Sequence, residues 1–139
     1  QLNDYETGTW TPSMDFNSNS FTYHADRGGS YTKVGKMVTC FGYMRTTARS
    51  GTNHLILGGL PFSAGDHTTG DSNYEGGLVT TYINNSAAAT HGPIGQISSS
   101  NSSMYLYHQI SSGNGSPLNA DENDANGFVW GFIVTYMTS

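Results

Sequence analysis

The sequence predicts an all-β protein, a jelly-roll-like β-sandwich forming one domain over residues 1–139. Three observations lead there. Gly, Ser, Thr and Asn supply 63 of the 139 residues, while the strong helix formers Ala, Leu, Glu and Lys are scarce. Charged residues make up 11% of the chain and aromatic residues 12%; the first value is well below the roughly 25% charge of an ordinary soluble domain, and the second argues against disorder. Apolar and β-branched residues also recur in eight or nine short runs divided by turn formers, the spacing of a sandwich or barrel. A chain of this length suits one domain and buries roughly two thirds of its unfolded surface.

The elements follow in order. Thr9-Trp10-Thr11 before Pro12 is the first strand signal, followed by Phe21-Thr22-Tyr23 and Tyr31-Thr32-Lys33-Val34. Gly35-Lys36 predicts a tight turn, because glycine reaches positive φ without penalty. Lys36 to Thr47 reads as the first long strand, with Met37, Thr39, Phe41, Tyr43 and Arg45 on one face and Val38, Cys40, Gly42, Met44 and Thr46 on the other. His54 to Leu57 is a short strand, stopped by Pro61, which cannot donate to a ladder. Residues 63–77 predict a polar loop, Leu78 to Ile83 a strand, 84–92 a second polar loop, and Ile94 to Ser98 a strand. Met104 to Ile110 alternates Met104, Leu106, His108 and Ile110 against Tyr105, Tyr107 and Gln109. Residues 111–126 read as one long polar stretch. Gly127 to Met137 is the second long strand, with Phe128, Trp130, Phe132, Val134 and Tyr136 on one face and Val129, Gly131 and Ile133 on the other. A monomeric sandwich normally keeps one sheet face wet. Apolar residues on both faces of the two longest strands therefore predict a subunit interface.

Charge and cysteine content narrow the partners. The net charge is -5, and the five basic residues, Arg27, Lys33, Lys36, Arg45 and Arg49, all precede position 50. So few cations cannot neutralise many phosphates, which argues against nucleic acid and against an anionic membrane surface. No run approaches the roughly 18 apolar residues of a membrane span, so no membrane insertion is expected. Cys40 is the one cysteine. It excludes an internal disulfide and, lying in an apolar run, is expected to be a buried, inert thiol.

Several segments resemble a known family. Asp4-Tyr5-Glu6-Thr7-Gly8-Thr9-Trp10-Thr11-Pro12 is similar to the D-Y-E-x-G-T-W-T-P opening of a domain found at the C-terminal end of bacteriophage tail fibres and tailspikes. Tyr31-Thr32-Lys33-Val34-Gly35-Lys36-Met37-Val38-Thr39 resembles its Y-x-K-[IV]-G-x-x-V segment, and Gly58-Gly59-Leu60-Pro61-Phe62 its G-L-P-F. The ending, residues 131–138, resembles the family's G-x-Y-x-T finish with one residue inserted, while residues 63–126 carry no motif that aligns. The resemblance implies a homotrimeric fibre or tailspike tip on the virion, outside the cell, that takes part in host attachment. It also implies that the chain, which begins at Gln1 without Met, is a piece of a longer fibre or tailspike, with residues 1–8 as the joint to an upstream shaft.

The residues do not compose an enzyme. No G-x-S-x-G elbow is present, and Asp121, Glu122 and Asp124, which could offer paired carboxylates, read as a solvated acidic turn. Glu122-x-Asp124-x-Asn126-Gly127 imitates the start of a calcium loop, but Ile133 occupies the twelfth position, where an EF-hand needs a bidentate acid. The histidines at 24, 54, 67, 91 and 108 have no zinc spacing, so neither a metal nor another cofactor is expected. Carbohydrate binding has the best chemistry, since sugar rings stack on exposed aromatics and their hydroxyls meet Asp, Asn and His. The loop at 63–77 offers Asp66, His67, Asp71, Asn73, Tyr74 and Glu75, and the loop at 84–92 offers Asn84, Asn85 and His91. Two functions remain open: attachment to a host cell-surface polysaccharide or other receptor, or a purely structural cap that holds a trimer together with recognition elsewhere.

Overall fold

Gly35 adopts φ +58° and, with Lys36, turns the chain between β3 (Gly28–Val34) and β4 (Met37–Ser50). This hairpin lies within the larger of two sheets in the computed structural model, which describes residues 4–67, 74–84, 93–109 and 115–139. β1 (Tyr5–Trp10) pairs with the free side of β3, β10 (Val129–Met137) with the far side of β4, and β6 (Gly76–Asn84) with β10. β2 (Ser20–Tyr23) joins the C-terminal end of β4. The smaller sheet runs β5 (Ile56–Gly58), β8 (Ser103–Gln109), β7 (Pro93–Ile97), with β9 (Gly115–Pro117) also on β8. Every pairing between these strands is antiparallel. The two sheets pack face to face, so the predicted sandwich is the observed fold.

The period-2 pattern of each strand decides what is buried. Val38, Cys40, Met44 and Thr46 of β4 point inward, as do Trp130, Phe132, Val134 and Tyr136 of β10. Leu57, Ile97, Met104 and Leu106 meet them from the smaller sheet, and Trp10, Met14 and Phe21 close one side. The Trp130 and Phe132 rings lie 4.3 Å apart between centroids, and Trp10 meets Phe132 edge-on at 6.0 Å. Gly42 is required beneath them: a Cβ there would lie 2.4 Å from the Phe132 ring. Cys40 is fully buried, and desolvation pushes its thiol up to about 12.

Several elements differ from the sequence expectation, among them β1 and β3, which begin at Tyr5 and Gly28 rather than at Thr9 and Tyr31 because they pair with each other from Tyr5–Val34 to Trp10–Gly29. The first long strand continues to Ser50, because β2 supplies backbone partners for residues 46–50. The strand expected at His54 to Leu57 shifts to Ile56–Gly58, while His54 bridges to Asn119. The stretch at 111–126, read as polar loop, carries β9 and a 3-10 turn at Ala120–Glu122, with Leu118 buried between them; residues 111–114 lie outside the described segments. Leu118 exchanges backbone hydrogen bonds with the neighbouring strands, donating to the Leu106 carbonyl at 3.0 Å and accepting from Leu55 N–H at 2.8 Å. The three-residue strand β9 is too short for alternation to reveal, and only its ladder with residues 107–109 of β8 defines it.

The bulge between Gly131 and Phe132 sets the outer face of β6. Gly131 pairs with Tyr82 and Phe132 with Thr80, leaving Thr81 as the extra residue. Thr80 thereby turns inward, where its Oγ1 accepts the Trp130 indole N–H at 3.3 Å, while Tyr82 and Val79 stay on the outer surface.

Candidate functional site

The loop expected to bind ligand divides into two kinds of residue. Glu75 is 6% exposed, and its Oε2 accepts the His67 backbone N–H at 3.0 Å. The His67 ring donates from Nε2 to the Thr138 carbonyl at 2.7 Å, and Glu75 N–H donates to the Ile97 carbonyl at 3.0 Å. These two residues fasten the loop to the end of β10 and to β7. Asp66 is exposed beside them. Tyr74 is 65% exposed and points away from the core. Asp71, Asn73, Asn85 and His91 lie outside the described residues, and Asn84 is the exposed last residue of β6.

Tyr74 stands at the rim of a groove of about 470 Å³ that it lines together with Ile94, Gly95, Gln96, Tyr107 and Gly115. The floor is the outer face of the smaller sheet. Ile94 pairs with Tyr107 and Gln96 with Tyr105, so alternation brings all four to the side opposite Met104 and Leu106. His54 is wedged against the two tyrosines, 4.8 Å from the Tyr107 ring and 5.1 Å from the Tyr105 ring between centroids. Its Nε2–H donates to the Leu106 carbonyl, which fixes the imidazole and, through it, the platform. The sequence alternation of residues 104–110 placed Tyr105 and Tyr107 on one face; nothing local places Ile94 and Gln96 beside them, because that depends on how β7 pairs.

The opposite surface of the molecule has a different character. Outward from the larger sheet project Val34, Met37, Phe41, Tyr43, Val79 and Tyr82, all substantially exposed. The register runs Val79–Ile133–Phe41 in one row and Tyr82–Gly131–Tyr43 in the next. Arg45, at one corner, is the one charged side chain on this face of β4. A groove of about 300 Å³ runs beside Phe41 and Tyr43 over Gly28, Gly29 and Ser30. The face expected to be apolar on both long strands is therefore apolar and uncovered in the single chain.

The acidic run is occupied with its own turn. Glu122 Oε2 accepts the Asn119 N–H at 2.6 Å, closing a capping box over the 3-10 turn, and Oε1 lies 3.4 Å from His108 Nε2. Asp124 accepts the Asn126 N–H at 2.8 Å, and Arg49 ties the segment down through the carbonyls of Asp121 and Asn123. Among the described residues no three His, Cys, Asp or Glu side chains gather as metal ligands would.

No family model and no curated protein matches the chain by sequence. By structure it is similar to the crystal structure of Dettilon tailspike protein, with a TM-score of 0.74 at 13% identity over 96% of this chain. The chain has a tailspike-type fold. It spans 24% of the length of that tailspike, so the likeness concerns one portion of a longer protein. The tailspike-related architecture agrees with the resemblance read from Asp4 to Pro12; the motif family itself draws no support from a match at this identity.

Proposed function

We propose that this tailspike-type domain is a phage tail module, carried on the virion, that assembles as a homotrimer and attaches to the host by binding a surface glycan, without catalysing a reaction. The observation that carries the reading is the dressing of the two outer faces. The larger sheet presents aliphatic and aromatic side chains almost free of charge, Phe41 at 52% and Tyr82 at 57% exposure. Monomeric proteins rarely leave so continuous an apolar surface to water. The smaller sheet presents an aromatic groove with polar edges, the form of a ligand site.

A threefold assembly needs two different patches that meet head to tail and close. This sheet has both: Val79 and Tyr82 project from β6, and the trough beside Phe41 and Tyr43 lies over small residues on β3. Packing the first patch of one copy into the second of the next covers the exposed rings on every copy. The other reading, a structural cap with recognition elsewhere, draws on His67 and Glu75, whose hydrogen bonds serve the fold.

Light scattering on the purified chain tests assembly, and adsorption of labelled protein to host cells tests attachment. A trimer that adsorbs supports the full proposal. A trimer that adsorbs to no susceptible cell supports the cap, and a monomer at micromolar concentration overturns the assembly reading.

A further inference from the structure

Within the attachment reading, on which this inference rests, we infer that the outer face of the smaller sheet is the glycan site and that it takes a neutral pyranoside, with Tyr107 and Tyr74 as stacking rings and Gln96 as a hydroxyl partner. Ring mobility comes first. Tyr107 is held against His54, and His54 is anchored to the Leu106 carbonyl. A ring already fixed by its neighbours loses little conformational freedom when a ligand covers it, so more of the contact energy remains as affinity.

Hydrogen-bonding capacity comes second. The phenol oxygens of Tyr74, Tyr105 and Tyr107 and the side-chain amide of Gln96 make no hydrogen bond to any described residue. A pyranose offers a patch of ring C–H groups on one side and hydroxyls around its edge. Tyrosine matches it with an apolar ring and a polar tip, and a primary amide both donates and accepts. The groove, at about 470 Å³, falls within the roughly 300–1,000 Å³ usual for small-ligand clefts.

Charge decides the class of sugar. Among the described residues, no ionisable acid or base other than the tyrosine phenols lines the groove. An anionic sugar, a uronate or sialate, would leave its carboxylate desolvated with no cation opposite. The protein's net charge of -5 adds a repulsive field. Neutral hexoses and deoxyhexoses meet neither obstacle.

The full chain is tested against glucose, galactose, mannose and rhamnose oligosaccharides, with uronate and sialate oligosaccharides in parallel, by titration calorimetry. Binding of at least one neutral series, weakened about tenfold or more in Tyr107→Ala and again in Gln96→Ala, is the expected result. Gln96→Ala leaves the ring stack untouched, so it reports on the site even where Tyr107→Ala melts early. Neutral binding unchanged in both variants, binding of anionic sugars alone, or no binding of any neutral series overturns the inference. Adsorption to host cells that survives both substitutions also overturns it while leaving attachment standing. Sugar binding lost in the variants, without any adsorption of the parent to cells, upholds the site and removes the attachment reading.

Discussion

The indole of Trp10 donates its Nε1–H to the backbone carbonyl of Phe41 across 2.9 Å. One residue of β1 thereby reaches over β3 to β4, and it secures the backbone at the position whose side chain points outward at the centre of the apolar face. The passage is possible because Gly29 has no side chain: a Cβ there would lie 2.1 Å from the Phe41 carbonyl and 2.5 Å from the indole nitrogen. The motif tryptophan thus links the first strand, the core and the outer surface.

Trp10→Phe keeps much of the packing against Phe132 and leaves the Phe41 carbonyl without this donor. A stability loss of about 0.5–1.5 kcal/mol is expected, the net contribution of one hydrogen bond. Gly29→Ala is expected to be at least as harmful, because the new methyl has backbone on one side and the indole on the other. Urea denaturation of both variants checks this; a Trp10→Phe midpoint equal to the parent's would show that the hydrogen bond contributes nothing.

Phe41→Asp places a carboxylate in the middle of the exposed face. In a single chain an exposed residue tolerates this change, with a stability effect within about 0.5 kcal/mol. In an assembly closed through this face the charge would be desolvated without a partner. The expected outcome is a folded monomer by light scattering with an unchanged circular dichroism spectrum. An intact trimer would move the interface to another surface.

Alkaline stability follows from Cys40 and Tyr136. Burial pushes the Cys40 thiol from 9.0 up to about 12, and burial likewise raises Tyr136, whose hydroxyl donates to the Phe62 carbonyl at 2.9 Å. Both groups stay protonated in the folded chain after the unfolded chain has begun to release its protons. Their contribution is therefore full below about pH 9 and is lost as the pH rises towards 12. Thermal melts from pH 7 to 11 should show a midpoint that falls steeply above pH 9, and Cys40→Ala should make that decline shallower. The native thiol should also resist alkylation at pH 8, where the unfolded chain reacts readily.

Trypsin reads the packing of β4. All five basic residues lie between 27 and 49. β4 is flanked by β3 and β10, and Arg49 is held by the carbonyls of Asn123 and Asp121. A strand paired on both sides enters a protease cleft only after local opening. The native protein should survive for hours, whereas heat-unfolded protein should be cut within this segment and release a fragment from Ser50 onward. Rapid native cleavage after Arg45 would show that the centre of the larger sheet opens easily.

What the sequence determined by itself was the composition of each face. Alternation over 37–46 and 128–137 separated Val38, Cys40, Met44, Trp130 and Phe132 from Phe41, Tyr43 and Ile133, because side-chain direction in a strand depends only on the next residue along. The turn at Gly35 was equally local. The tertiary structure decided what met across strands. Glu75 and Tyr74 are neighbours in the chain, yet one is drawn inside to hold His67 and the other is left at the rim of a groove. The groove exists because β7 pairs with β8 in a register that sets Ile94 beside Tyr107 and Gln96 beside Tyr105. β9, only three residues long, is defined by its partner strand. Such placements depend on hydrogen bonds between residues distant in sequence, and register, unlike periodicity, is chosen by the whole buried surface at once.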